Sequence, residues 1–143
     1  MKNEVFIDTS GFYALLAGDD DRHAQAAAYL RNAAAKRIRF VTTDYILDET
    51  ATLLKARGRI SLLEPFFERI FGSSSCRVAW TDADRFHQAR QFFLKHRDQH
   101  WSFTDCLSFC VMKECGSREA LTKDNHFIAA GFIAILLKAG ENR

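Results

Sequence analysis

Four carboxylates carry the chemistry this sequence offers: Asp8, Glu49, Asp105 and Asp124. Each has an ordinary explanation when taken singly. Asp8 follows an apolar run and precedes Thr9 and Ser10, where it would cap a short helix. Asp105 lies three residues after Ser102, the spacing of a capping box, where an acid satisfies amides and complements the helix dipole. Asp124 could cap the turn at Asn125-His126-Phe127. Glu49 has Tyr45, Ile46 and Leu53 at i−4, i−3 and i+4, which puts it on the apolar stripe of its helix. Asp48, with Asp44 and Thr52 around it, faces solvent. An inward carboxylate loses hydration, which is costly unless it is paired or holds a metal.

Taken together, the four suggest more. Two fall at strand ends, one in the first turn of a helix and one on a helix face, and a parallel sheet could bring them all to one rim. Four carboxylates in one pocket repel and raise each other's pKa values. Hard divalent cations relieve that repulsion and accept oxygen ligands. Such a cluster is a natural Mg²⁺ or Mn²⁺ site for phosphodiester chemistry.

The elements that must position these acids alternate along the chain. Glu4 to Ile7 is strand-like, followed by a short helix from Ser10 to Ala17 and a second from His23 to about Lys36. Ile38 to Thr42 is a second strand. Thr43 opens a helix reaching Arg57, with Gly58 just past its end. Ser61 and Glu64 read as a capping box for a helix from Leu62 to Phe71, with Pro65 in its first turn. Arg77 to Trp80 is a third strand. Thr81 and Asp84 would cap a helix to about Arg97, and Ser102 and Asp105 one that ends near Gly116. Ala120 to Thr122 is a short strand, His126 to Ala130 a helical turn, and Ile133 to Leu137 a last strand.

Strands separated by helices pair in parallel through right-handed crossovers, so the expected fold is α/β with helices on both faces of a mostly parallel sheet. Functional groups in such sheets gather beyond the carboxyl ends of the strands, which points to Asp8 and Asp124.

Composition agrees with one compact domain over residues 1–143. The chain is 48% hydrophobic and 13% aromatic, which excludes disorder. No apolar run is long enough to span a membrane, and the N-terminus lacks the pattern of a signal peptide, so a cytoplasmic protein with no membrane partner is expected. Cys76, Cys106, Cys110 and Cys115 do not form a disulfide framework on this reading. Cys106, Cys110 and Cys115, with His100 and His126, lack the paired spacing of a zinc site and read as small buried residues. Net charge is +2, from 20 basic and 18 acidic residues. With the four pocket acids neutralised by metal, 14 acids remain against 20 bases, a surface that suits a polyanion.

Four segments resemble the PIN-domain family, and the VapC-type toxins within it. Val5-Phe6-Ile7-Asp8-Thr9-Ser10 is similar to its opening strand and first acid, and Asp48-Glu49-Thr50 followed by Leu53-Leu54 to its second motif. Ser102-Phe103-Thr104-Asp105 resembles the third. Leu121-Thr122-Lys123-Asp124-Asn125-His126-Phe127, then Gly131-Phe132, resembles the last. The resemblance implies a three-layer α/β/α PIN-like fold and a Mg²⁺- or Mn²⁺-dependent endoribonuclease acting on RNA. It also implies frequent homodimers and inhibition by a small cognate antitoxin. By match to the motifs, Asp8 and Asp105 would be the primary metal ligands. Glu49 and Asp124 would complete the pocket directly or through water, and Thr9, Ser10 and Thr104 would stand behind them. A dimer would also use the helix Leu62–Phe71, whose Leu63, Phe66, Phe67, Ile70 and Phe71 occupy more than one face. The competing readings are a housekeeping RNA-processing nuclease with the same site, and a non-catalytic interaction module in which the acids are only caps and ion pairs. An aspartyl-phosphate phosphatase would want a second acid where Ser10 stands.

Overall fold

The structure, a computed structural model, describes residues 4–137. Its core is the strand β1 (Glu4–Ile7), buried along its whole length. Two helices follow, α1 (Thr9–Leu16) and α2 (His23–Ala35), and then β2 (Arg39–Thr43), α3 (Asp44–Ala56) and α4 (Leu63–Gly72). The edge strand β3 (Cys76–Ala79) precedes α5 (Ala83–Lys95) and α6 (Phe103–Cys115). The chain then forms β4 (Glu119–Leu121), the short α7 (His126–Ala129) and β5 (Ile133–Ala134). The five strands make one all-parallel sheet in the order β3-β2-β1-β4-β5. Among the described residues, seven α-helices flank it, as expected of the α/β class.

The strand order decides where a site can form. From β1 the chain moves outward through β2 to β3, then returns across β1 to lay β4 on its other side. The direction of winding therefore reverses between β1 and β4. Loops leaving the carboxyl ends of two strands diverge at such a point and leave a crevice between them. Phe6 and Ile7 pair with Ala120 and Leu121 at this junction, and Asp8 and Thr122 are the residues that leave it.

Local signals behave largely as the sequence suggests. Thr43 caps α3 through its side chain, Ser102 and Asp105 form the reciprocal capping box of α6, and Gly116 ends α6 in the left-handed conformation. The Ser61–Glu64 box does not form. Residues Ile60–Leu62 take a tighter 3₁₀ turn that runs directly into α4, whose N-cap Leu62 has no side-chain cap, so the turn's own bonds replace the box. Thr81 and Asp84 do not cap α5 either: Asp82 does, and the Thr81 hydroxyl donates to Asp44 at 2.7 Å. The last strand is only two residues long. Beyond it, Ile135 and Leu136 still donate to Ala120 and Thr122, which keeps this segment against β4.

Candidate active site

The site is built on Asp8. Its backbone starts α1, and its carboxylate accepts from the Gly11 amide at 2.9 Å, the Ser10 hydroxyl at 2.8 Å and the Thr122 hydroxyl at 2.7 Å. Those two hydroxyls also tie the strand ends together. Ser10 accepts from the Lys123 amide and Thr122 from the Asp124 amide, each at 3.0 Å. Each hydroxyl thus gives its proton to Asp8 and takes an amide of the turn after β4. Gly11 makes this closeness possible. A Cβ there would lie 2.0 Å from the Leu121 carbonyl oxygen, so any larger residue would force α1 away from β4.

Asp8 is 5% exposed. Burial pushes its carboxyl up to about 7, because a charge far from water is unfavourable. The three hydrogen bonds pull the other way without cancelling that effect, and Asp124 raises it further by repulsion.

Asp105 enters from α6. Its capping-box bond with the Ser102 amide, 3.1 Å, fixes one side of the carboxylate, and His126 Nδ1 lies 3.0 Å from the same oxygen. Asp124 accepts the His126 amide at 2.9 Å, and its carboxylate is 3.6 Å from His126 Nδ1. One ligand atom each from Asp105, Asp124 and His126 lies within 4.8 Å of the other two. The capping roles that explain these acids singly are therefore present, and the same side chains converge. Among the described residues, no lysine or arginine pairs with Asp8, Glu49, Asp105 or Asp124. Lys123, placed between Thr122 and Asp124, turns its ammonium onto Asp20 at 3.2 Å and Asp21 at 3.5 Å.

Glu49 departs from expectation. It is exposed, like Asp48, and the buried stripe of α3 runs through Ile46, Leu47, Thr50 and Leu54. At about 100° per residue, Thr50 is central to that stripe and Glu49 lies off one flank, beside the half-buried Tyr45 and Leu53. The neighbours of Glu49 touch elements that carry the other acids. Tyr45, one turn before Glu49, packs on Phe103 of the first turn of α6, with ring centroids 6.1 Å apart. Thr50, the next residue, donates its hydroxyl to Thr9 at 3.2 Å. Glu49 itself makes no hydrogen bond or ion pair with the described residues.

Of the supporting hydroxyls, Ser10 is in the Asp8 network, Thr9 instead accepts from Thr50, and the Thr104 side chain makes no hydrogen bond in the described structure. Two contributors were missed. In the sequence, Thr122 reads as the end of a strand, and His126 reads with the cysteines as no part of a metal site. The cysteines are free, with Cys106 buried. The signal for both missed residues was their spacing around Asp124, two positions before and two after.

The carboxylates and the imidazole form a set of mostly hard oxygen donors, which fits a divalent cation of the Mg²⁺ or Mn²⁺ kind.

Comparison with known proteins agrees with this geometry. The PIN domain model matches residues 5–133. The 23S rRNA-specific endonuclease VapC20 of Mycobacterium tuberculosis is 35% identical over 132 residues, which cover 92% of this chain and 97% of that protein. A VapC ribonuclease of Archaeoglobus fulgidus is 30% identical over 112 residues, 77% of this chain and 70% of that one. The crystal structure of VapC20, described as a sarcin–ricin loop cleaving toxin, matches with a TM-score of 0.78 at 32% identity, covering 90% and 96% of the two chains. A structure from Pyrobaculum aerophilum, 18% identical with a TM-score of 0.65, shares the fold. A five-stranded parallel sheet with acids at its switch point, a family model spanning nearly the whole chain and a VapC relative matched over 97% of its length lead to one conclusion: this chain belongs to the PIN-domain family, among its VapC-type members.

Proposed function

We propose that the protein is a divalent-cation-dependent endoribonuclease and the toxin of a toxin–antitoxin pair. The observation that carries this reading is the gathering of acids at the switch point: Asp124 acts on the buried Asp8, His126 draws Asp124 and Asp105 together, and no described lysine or arginine pairs with any of the three acids. Asp8 and Asp105 would hold the cation, with Asp124 and Glu49 bound directly or through water. Mg²⁺ and Mn²⁺ both suit the oxygen donors.

When bound, the cation supplies an activated water and stabilises charge on the phosphoryl and leaving oxygens. The chain's own groups supply position. Ser10, Thr122 and the Gly11 amide orient Asp8, and the Ser102 amide orients Asp105. No side chain need act as a nucleophile. Glu49, on the exposed flank of α3, would reach the cation through a bound water.

RNA is the proposed substrate class, supported by the names of the relatives and by the excess of 20 bases over the 14 acids left outside the pocket. A homodimer is proposed through the outer face of α4. Phe67, Phe71 and Trp80 are all exposed and stack with interplanar angles of 8° and 10°, apolar surface of a kind that usually marks an interface. The proposed inhibitor is a small antitoxin whose basic side chain pairs with the pocket acids. The proposed location is the cytoplasm, and no described helix is long and apolar enough to cross a membrane.

The test is an endonuclease assay on 23S rRNA and on an unrelated RNA, with the metal-free protein and after addition of Mg²⁺ or Mn²⁺. Internal cleavage that needs the cation and is lost in Asp105→Asn is expected. Cleavage that is equal with a chelator present would overturn the metal-dependent reading.

A further inference from the structure

The imidazole of His126 stands where a ligand would stand. Its Nδ1 is 3.0 Å from an Asp105 oxygen and 3.6 Å from an Asp124 oxygen, and the three donor groups fit within 4.8 Å. Ligands held at right angles on bonds of about 2.1 Å are about 3.0 Å apart, and opposite ones about 4.2 Å. The 3.0 Å spacing is that of neighbouring ligands and 3.6 Å lies between neighbouring and opposite ones, so a small closure on an ion brings the set onto one coordination sphere.

The position is also built. Phe127, the next residue, is buried between β1 and α6, with its ring centroid 6.2 Å from Phe6 and 5.0 Å from Phe109. The His126 amide is bonded to Asp124. Together these fix α7 so that the imidazole faces the acids and stays 35% exposed.

Resting on the cation site proposed above, we propose that His126 joins its carboxylates as a ligand through Nδ1, giving a mixed oxygen–nitrogen centre that favours Mn²⁺ over Mg²⁺. Mg²⁺ prefers oxygen and water, whereas imidazole suits transition ions, so one nitrogen shifts the preference without excluding either ion. The opposing arrangement keeps His126 outside the sphere as an N–H donor that steadies Asp105, a common role for a histidine beside a metal-bound carboxylate.

Pulsed electron paramagnetic resonance on the metal-free protein loaded with Mn²⁺ separates the two, because a bound imidazole nitrogen couples strongly to the ion and a remote one does not. Wild type is expected to show that coupling, and Asn at this position (His126→Asn) to lose it. Calorimetric titration should then show the preference for Mn²⁺ over Mg²⁺ shrinking roughly tenfold in His126→Asn, through weaker Mn²⁺ binding. Tight Mn²⁺ binding by wild type without nitrogen coupling would overturn the ligand role and leave the acidic site standing. Failure of wild type to bind Mn²⁺ at millimolar concentration would overturn both.

Discussion

The buried carboxylate of Asp8 should make the metal-free protein lose stability as pH rises, and Asp8→Asn should remove that loss. The carboxyl is pushed up to about 7 in the folded protein, against 3.8 in the unfolded chain. Between those values the folded state holds the proton more tightly than the unfolded state does. Stability is therefore greatest at the acid end, falls through this interval, and is lowest above pH 7. The gap is about three pH units at ~1.4 kcal/mol each, a penalty of roughly 4 kcal/mol once the group is fully ionised.

Asparagine keeps the oxygen that accepts from Gly11 and Ser10, and its amide can donate to the Thr122 hydroxyl. Rearranging that one bond costs about 1 kcal/mol. The metal-free Asp8→Asn protein should therefore be more stable than wild type by about 2–3 kcal/mol at pH 8, with the gain gone near pH 4–5. Denaturant unfolding after chelation, at intervals from pH 4.5 to 8, measures both curves. Adding Mn²⁺ should reverse their order at pH 8, because binding stabilises only the protein that keeps the ligand. A wild-type curve that is flat with pH, together with a less stable Asp8→Asn protein at pH 8, would refute the reasoning about Asp8.

Other perturbations have clear expected outcomes. Asp105→Asn should lower RNA cleavage by roughly 100-fold or more while leaving the unfolding curve close to wild type, since a lost ligand acts on metal affinity. Glu49→Gln should reduce cleavage more than Asp48→Asn does; both residues are exposed, so equal effects would remove Glu49 from the site. Gly11→Ala should destabilise the protein by about 2–3 kcal/mol through overpacking, measured by thermal unfolding, and should impair metal binding as α1 and β4 are forced apart. Replacing Phe71 and Trp80 together by serine should turn a dimer into a monomer in light scattering, and a wild-type protein that is already monomeric would remove the proposed interface.

Much of this protein is decided by short-range rules that act on neighbouring residues. Caps at Thr43 and Ser102, the left-handed Gly116 and the apolar run Val5–Ile7 need no partner distant in sequence to declare a helix start, a helix end or a strand. Three of the acids could be singled out for the same reason, because Asp8, Asp105 and Asp124 each stand at an element boundary or beside one, whereas Glu49 lies in mid-helix and is marked only by periodicity. The order β3-β2-β1-β4-β5 is of another kind. It depends on which strand edges meet after the crossovers fold back, and that pairing, far apart along the chain, places Asp8 next to Thr122 and Asp124. Glu49 marks the boundary between the two. Helical periodicity places Glu49 on one stripe with Tyr45, Ile46 and Leu53, but the buried stripe runs through Ile46, Leu47, Thr50 and Leu54, because the centre and width of the buried arc depend on what packs against it. Thr9 meets Thr50, and Phe103 meets Tyr45, so Glu49 is left on the open flank. His126 was hidden for the same physical reason: an imidazole becomes part of a cation site only through oxygens brought to it, and Asp105 lies 21 residues away.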